Sequence, residues 1–501
     1  MPPHSARRGG RLSWSARAKF ASLGALIATG QAPLDLWFLA FPVLAVALVF
    51  VARAVRPVRA AFWVGFGYSL LAMIWIAEPF LVEPAQTGWM MPFAVAAMAT
   101  GLGLFWAGGA FVGLWISGRE APFGRAFGIA LGIAAAEFAR SYLFTGFPWA
   151  LLGHMWIDSA AYQLARLVGP LGMTLATLAA AAGLGVLWQR ARIWGAAATV
   201  VAAAVAALWP SPGRDVPDLS GQPVVRLVQP NAPQHQKWDP AFRQKFYERQ
   251  LEFTAATGDV DLTIWPEVAV TFRLEYPDAP FDEIAAAARG GPVIFGAQRV
   301  EGMQAYNALA QLSGAGAMDD IYDKHHLVPF GEYIPGGDLV RRLGLRGLAE
   351  QLPLGFSPGA GPRVMAVENV GTYVPMICYE AIFPHELRKV DARPDFLLHL
   401  TNDAWFGPLS GPYQHLAQAR ARAIEFGLPV IRVANTGVSA VIDARGGIRD
   451  QLALNEAGFV DASLPRPTAA TMYWRFGDRI AFGLLIAGLI GFGLLGRSKS
   501  H

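Results

Sequence analysis

Cysteine is almost absent: Cys378 is the only one in 501 residues. No intrachain disulfide can form, so the chain can face an oxidising compartment without using it, and its thiol is left free for chemistry. Charge is also scarce. Charged residues make up 16% of the chain, against about 25% in an ordinary soluble domain, which points to a membrane protein with a sizeable water-facing part. The net charge of +4 is mild and its bases are segregated by position, which argues against a nucleic-acid footprint. Internal repeats, low-complexity tracts, Gly-rich phosphate loops and metal-ligand clusters are all missing, and neither a metal nor a cofactor is expected.

What fills the chain instead is long apolar runs. They lie near 20–31, 36–52, 60–77, 90–117, 124–143, 163–188, 193–209 and 479–496. Several match the roughly 20 residues that cross a ~30 Å hydrocarbon core, which predicts eight spans. The basic start followed by an apolar run resembles a signal peptide, but further spans follow at once and no A-x-A cleavage pattern stands out. Bases collect in alternate loops: the N-terminal tail (Arg7, Arg8, Arg11, Arg17, Lys19), then Arg53, Arg56 and Arg59, Arg119 and Arg125, Arg190 and Arg192, and finally Arg497 and Lys499. The intervening loops 32–35 and 78–89 carry Asp35, Glu78 and Glu83 and no base. By the positive-inside rule both termini are cytoplasmic and the stretch between spans seven and eight lies outside. The expected organisation is a seven-span domain over 1–209, an external domain over 220–465 and a last span at 479–496.

The external segment follows a Pro/Gly linker at 210–217 and changes character. Strand candidates are Val224–Val228, Leu262–Trp265, Pro292–Gly296, Tyr373–Cys378, Phe396–Leu400 and Val430–Val433; helix candidates are 240–256, 281–289 and 412–426. Strands alternating with helices predict a layered α/β domain. Three apolar strands end on residues of catalytic types. Leu262-Thr-Ile-Trp-Pro266 leads to Glu267, Ile321-Tyr-Asp to Lys324, and Val374-Pro-Met-Ile to Cys378. Sites in open α/β sheets collect beyond the carboxyl ends of strands. A thiolate is a nucleophile, a carboxylate can take and return its proton, and an ammonium can lower the thiol pKa and stabilise an oxyanion. Each residue alone also fits a plainer role: a small buried hydrophobe for Cys378, a surface residue for Glu267 or Lys324.

The words around these residues carry a resemblance. They are Trp265-Pro266-Glu267, Tyr322-Asp-Lys324 running on to Pro329-Phe330-Gly331-Glu332, Ile377-Cys378-Tyr379-Glu380, and Thr401-Asn402-Asp403-Ala404-Trp405-Phe406. With Gly146-Phe147-Pro148-Trp149, Gln229-Pro230-Asn231, Lys237-Trp238, Tyr306-Asn307 and the run His415–Glu425, the chain resembles the nitrilase (carbon–nitrogen hydrolase) superfamily. Within it, the chain resembles the apolipoprotein N-acyltransferase family of Gram-negative bacteria over nearly its whole length. The resemblance implies an αββα sandwich with a Glu-Lys-Cys triad: Glu267 as general base, Lys324 as oxyanion stabiliser and Cys378 as nucleophile. Glu332, Tyr379 and Glu380 match supporting positions, and Trp238 and Asn307 positions tied to substrate handling or site integrity. The implied reaction is ping-pong acyl transfer from a phospholipid, phosphatidylethanolamine by preference, through a thioester to the α-amine of a diacylated apolipoprotein. The implied setting is a monomer in the bacterial inner membrane with its catalytic domain in the periplasm.

Other residues leave alternatives open. Loops 348–356 (Leu352, Leu354, Phe356) and Trp405–Tyr413 could be lids that keep water from a thioester or ordinary anchors. Glu332 could hold Lys324 in place or cap a helix at 337–343; Glu380 could polarise the centre or face water. Glu137 and Arg140, one turn apart, could be functional or a local pair reaching the interface. Trp149 and His154 are expected at the outer surface, shaping a lipid entrance. His325 and His326, adjacent on a strand, should point to opposite faces and so share no metal. Two other readings compete: a membrane-tethered amidase or nitrilase that uses water as acceptor, and a transporter with a non-catalytic external domain.

Overall fold

The computed structural model of the chain describes residues 12–117, 122–190, 219–276, 279–336 and 355–498. Its N-terminal part is helical, with long helices Trp14–Ala28, Trp37–Arg53, Pro57–Ala72, Met91–Ser117, Pro122–Tyr142 and Ala165–Arg190; Arg479–Ser498 ends the described chain. Each lies on an apolar stretch read from the sequence. The expected span at 193–209, the linker after it and the helix at 337–343 fall outside the described residues. By length and composition two helical segments could cross a membrane, Pro84–Ser117 and Ala160–Trp188. A third qualifies if Pro57–Ala72 and Ile74–Leu81, bent by 46°, act as one.

Glycines let these helices approach closely. Gly109 and Gly113 face Gly128 and Gly132 on the neighbouring helix: a Cβ at Gly113 would sit 2.0 Å from the Gly128 carbonyl oxygen, and one at Gly132 2.0 Å from that of Gly109. Small residues at such crossings allow backbone-to-backbone packing where no hydrophobic drive separates helix from lipid. Glu137 and Arg140 do not reach an interface. They are buried and paired; Trp106 Nε1 donates to Glu137 (2.8 Å), and Arg140 donates to the carbonyls of Phe147 and Trp149. The guanidinium is spent on holding the loop at 146–149, which is why it stays inside.

Twelve strands form two six-stranded sheets, ordered β12-β1-β2-β3-β4-β5 and β11-β10-β9-β8-β7-β6. The first contains β1 (Val224–Gln229), β2 (Leu262–Ile264), β3 (Val293–Glu301), β4 (Gln304–Leu312), β5 (Met318–Asp323) and β12 (Gly458–Ser463). The second contains β6 (Met365–Val367), β7 (Gly371–Ile377), β8 (Phe396–Thr401), β9 (Val430–Ala434), β10 (Ser439–Ile442) and β11 (Ile448–Leu452). Inward residues of both sheets share one core, including Leu227, Ile264, Leu309, Ile377, Leu400 and Val433. Helix Pro240–Thr254 packs on the outer face of the first sheet, and helix Gly411–Phe426 on that of the second. The result is an αββα sandwich.

Register sets the site. β2 and β3 run parallel, and β5 is antiparallel to β4, which is antiparallel to β3. The carboxyl ends of β2 and β5 therefore lie at the same edge. In the other sheet β7 pairs parallel with β8, and β8 with β9.

Trp149 and His154, expected at an outer surface, are buried at the junction of bundle and sandwich. Trp149 packs against Trp75 (centroids 4.6 Å apart), the edge of Phe406 and His415, and its Nε1 donates to Gln414 (2.7 Å). Gln414 Nε2 donates to the carbonyl of Ala72 (3.1 Å). A large indole with one donor suits such a seam, where the ring is desolvated and the N–H finds a partner. Phe406 is tied into the same cluster, so that part of 405–413 is an anchor.

Candidate active site

Glu267 follows β2 on a segment that crosses β3 at a glycine. A Cβ at Gly296 would lie 2.6 Å from Glu267 Cα and 2.4 Å from the Val268 nitrogen, so only glycine admits this path. The carboxylate is held at both oxygens: Asn307 Nδ2 donates to Oε1 (2.7 Å) and the Asn402 N–H to Oε2 (2.7 Å). Lys324 lies just beyond β5. Its N–H donates to the Asn307 carbonyl (2.9 Å), its Nζ donates to Glu332 Oε1 (2.9 Å) and sits 3.7 Å from Glu267 Oε1. Glu332 also accepts from Asn307 Nδ2 (3.1 Å) and from the Val328 N–H (2.8 Å). Asn307 thus ties both carboxylates together, and Glu332 holds the ammonium.

Cys378 directly follows β7 and starts a short helical turn, Cys378–Ile382, with φ of +51°. A non-glycine residue in that region is strained, as nucleophile turns between strand and helix often are. Two imidazoles converge on its carbonyl oxygen: His399 Nε2 at 3.2 Å and His415 Nε2 at 3.1 Å. Arg432 donates to His399 Nδ1 (2.9 Å), which leaves His399 Nε2–H as the donor to that carbonyl. Asp403 pairs with Arg432, and its Oδ1 meets His415 Nδ1 (2.9 Å) and accepts from Thr401 (2.9 Å).

Burial of Cys378 and the charge of Glu267 push the thiol well above its ordinary range, and Lys324 and the Thr401 side chain pull it back only in part. The net shift is upward because desolvation outweighs one ammonium that also faces two carboxylates. Burial opposes charge on Lys324 too, yet Glu332, Glu267 and Cys378 together hold it firmly cationic.

Glu380 does not face water. It is buried and accepts from the Ile377 N–H (2.6 Å), the His325 N–H (2.7 Å) and the Tyr322 hydroxyl (3.0 Å). Tyr379 is buried against His326 and Phe383. His325 and His326 do not face opposite ways: both reach Glu386, at 2.6 and 3.2 Å. They follow the end of β5, so strand alternation does not govern them. Among the described residues no cluster suits a metal ion. Trp238 is half-buried at the end of the short helix Gln234–Lys237, and no hydrogen bond among the described residues joins it to the cluster. Its neighbour Lys237 does join: it is buried, and its Nζ donates to the Glu267 carbonyl (3.2 Å).

Burial lowers the affinity of His325 for its proton, but Glu380 and Glu386 overcome this and raise its pKa to about 9. A folded-state pKa above the ordinary value of about 6.5 means a contribution that is full below pH ~6.5 and lost as pH rises through 9. Wild type should therefore lose thermal stability over pH 6.5–9 relative to His325→Gln. Parallel melting curves across that window would refute the brace.

Sequence reasoning gave no role to Lys237, His399, Asn402, Asp403, His415 or Arg432. A signal existed for two of them. His399 and Arg432 interrupt otherwise apolar strands, and a charged or polar residue inside a buried strand needs a partner.

The fold and site define a carbon–nitrogen hydrolase-type protein: the family model described as Carbon-nitrogen hydrolase matches residues 178–473. The N-terminal domain of apolipoprotein N-acyltransferases matches residues 23–184. The apolipoprotein N-acyltransferase of Brucella melitensis is 36% identical over 499 residues, covering 92% of this chain and 93% of its own. That of Caulobacter vibrioides is 39% identical over 459 residues, covering 86% and 85%. A solved CN-hydrolase superfamily protein from Xanthomonas campestris is 23% identical, with a TM-score of 0.37, covering 53% of this chain and 96% of that one. The chain belongs to the apolipoprotein N-acyltransferase family.

Proposed function

We propose that this chain moves an acyl chain from a phospholipid, through a Cys378 thioester, to the N-terminal α-amine of diacylglyceryl-cysteine on apolipoproteins. The observation that carries the reading is the single thiol, set at a strand end where Glu267 and Lys324 both act on its charge. A thiol held protonated by burial needs a base at the moment of attack. In the first half, Glu267 takes the Sγ proton as Sγ attacks the ester carbonyl. Lys324 stabilises the oxyanion, and the C–O bond breaks to release a lysophospholipid whose alkoxide takes the proton from Glu267. In the second half, the α-amine attacks the thioester, Glu267 accepts its proton, the C–S bond breaks, and the proton returns to the thiolate.

The composition supports a membrane setting. Outside the cytoplasm no acyl-CoA is supplied, and the bilayer is the acyl source at hand. In this reading the chain is an inner-membrane monomer with eight spans, both termini cytoplasmic, and residues 220–465 periplasmic. Purified protein given labelled phosphatidylethanolamine and a diacylated lipopeptide should form a hydroxylamine-sensitive adduct and a triacylated product. Cys378→Ala should form neither, and product from that variant would end the thiol mechanism.

A further inference from the structure

A cavity of about 320 Å³ lies beside the cluster, between helix Pro240–Thr254 and the segment after Glu267. Lys237 and Arg243 line it and no carboxylate among the described residues does. Two routes join it to the general base. Lys237 Nζ donates to the Glu267 carbonyl. Asn435, on its wall, donates to Asn402 Oδ1 (2.8 Å), and the Asn402 N–H donates to Glu267 Oε2.

Lys237 is 4% exposed and spends one of three N–H donors on that carbonyl. Among the described residues no carboxylate lies within ion-pair distance of it. Buried charges are ordinarily paired, so this ammonium lacks an anion. Burial, against the pull of Glu267, brings its pKa down to about 8, which an anion would reverse. Gln250 supplies a second open valence. Its Nε2 faces the carbonyls of Phe246 (3.3 Å) and Ala269 (3.0 Å), which fixes the amide orientation and leaves Oε1 buried with no partner. The cavity therefore offers two cationic groups, one orphaned acceptor, and the aromatic faces of Phe272 and Tyr276, on which an alkylammonium can rest.

We propose that this cavity binds an amino-alcohol phosphodiester, the headgroup of the acyl donor, with its phosphate on Lys237 and Arg243 and its amine toward Gln250 Oε1. The proposal rests on the acyl-transfer reading above. It makes these residues a specificity site that sets the donor against the base while taking no part in the proton transfers.

The test uses full-length protein in detergent. Binding of glycerophosphoethanolamine and of inorganic phosphate is measured by calorimetry, on wild type and on Arg243→Glu, an exposed site whose change leaves the core intact. Glycerophosphoethanolamine should bind wild type at least tenfold more tightly than phosphate does, and Arg243→Glu should weaken it at least tenfold. In acylation assays, kcat/KM for phosphatidylethanolamine relative to a long-chain p-nitrophenyl ester should fall at least tenfold in Arg243→Glu, mainly through KM. No binding to wild type, or equal binding by both proteins, overturns the headgroup site. Equal affinity for phosphate overturns the amine arm. Binding as expected with no acylation of Cys378 by either substrate would sink the acyl-transfer reading and leave the pocket standing.

Discussion

Lys324→Met should slow acyl-enzyme formation by about 10²–10³, the usual loss when one preorganised oxyanion donor is removed. Methionine keeps the length of the side chain and suits a position only 1% exposed, so the loss is electrostatic rather than a cavity. Glu267 Oε1 and Glu332 Oε1 both accept from Asn307 Nδ2, at 2.7 and 3.1 Å, and the Lys324 ammonium reaches both carboxylates. Single-turnover acylation reads the effect, and a rate within threefold of wild type would remove Lys324 from the mechanism. Lys324→Arg should not rescue, because a planar fork cannot replace a point charge spaced 2.9 Å from one carboxylate and 3.7 Å from another.

The three strand-end residues were legible because period and chemistry agree there: an apolar run stops on a group that burial would punish unless it had work to do. Helices were legible for the same reason, and 240–256, 281–289 and 412–426 appear as Pro240–Thr254, Phe281–Ala287 and Gly411–Phe426. Strands β4, β6 and β10–β12 were missed. β4 and β10–β12 mix Gln, Asn, Ser or Asp into their runs and β6 is only three residues long. What makes them strands is pairing with a neighbouring strand, or for β12 with β1 at the other end of the domain, rather than their own pattern. The buried polar network was illegible for a related reason. His399, Asp403, His415 and Arg432 come from four different elements, and it takes the parallel register of β7, β8 and β9 together with the helix Gly411–Phe426 packed on that sheet to carry two imidazoles to one carbonyl. Trp149 and His154 were misplaced because aromatic residues after a span fit an interface belt. The seam with the sandwich, which the hydropathy pattern does not record, claimed them instead.

That network carries the other large effect. Asp403 and Arg432 are fully buried and paired, and each also serves an imidazole on the Cys378 carbonyl. Removing one partner of a buried ion pair strands the other charge in a low dielectric and costs about 3–5 kcal/mol. Asp403→Leu and Arg432→Met should each lower the thermal midpoint sharply. The double variant should be more stable than the sum of the two losses predicts, because no uncompensated charge remains. Activity should behave differently from stability. A trans peptide directs its C=O and N–H to opposite sides, so fixing the Cys378 carbonyl also aims the Tyr379 N–H and holds the strained turn that presents Sγ. Both single variants and the double variant lose a support of that carbonyl, so kcat for acylation should stay low in all three while KM for the donor changes little. A double variant that recovers its midpoint and its kcat together would mean that the imidazole clamp only stabilises the fold. Recovery of the midpoint alone separates the two roles: the ion pair neutralises its own burial, and the histidines it orients set the nucleophile.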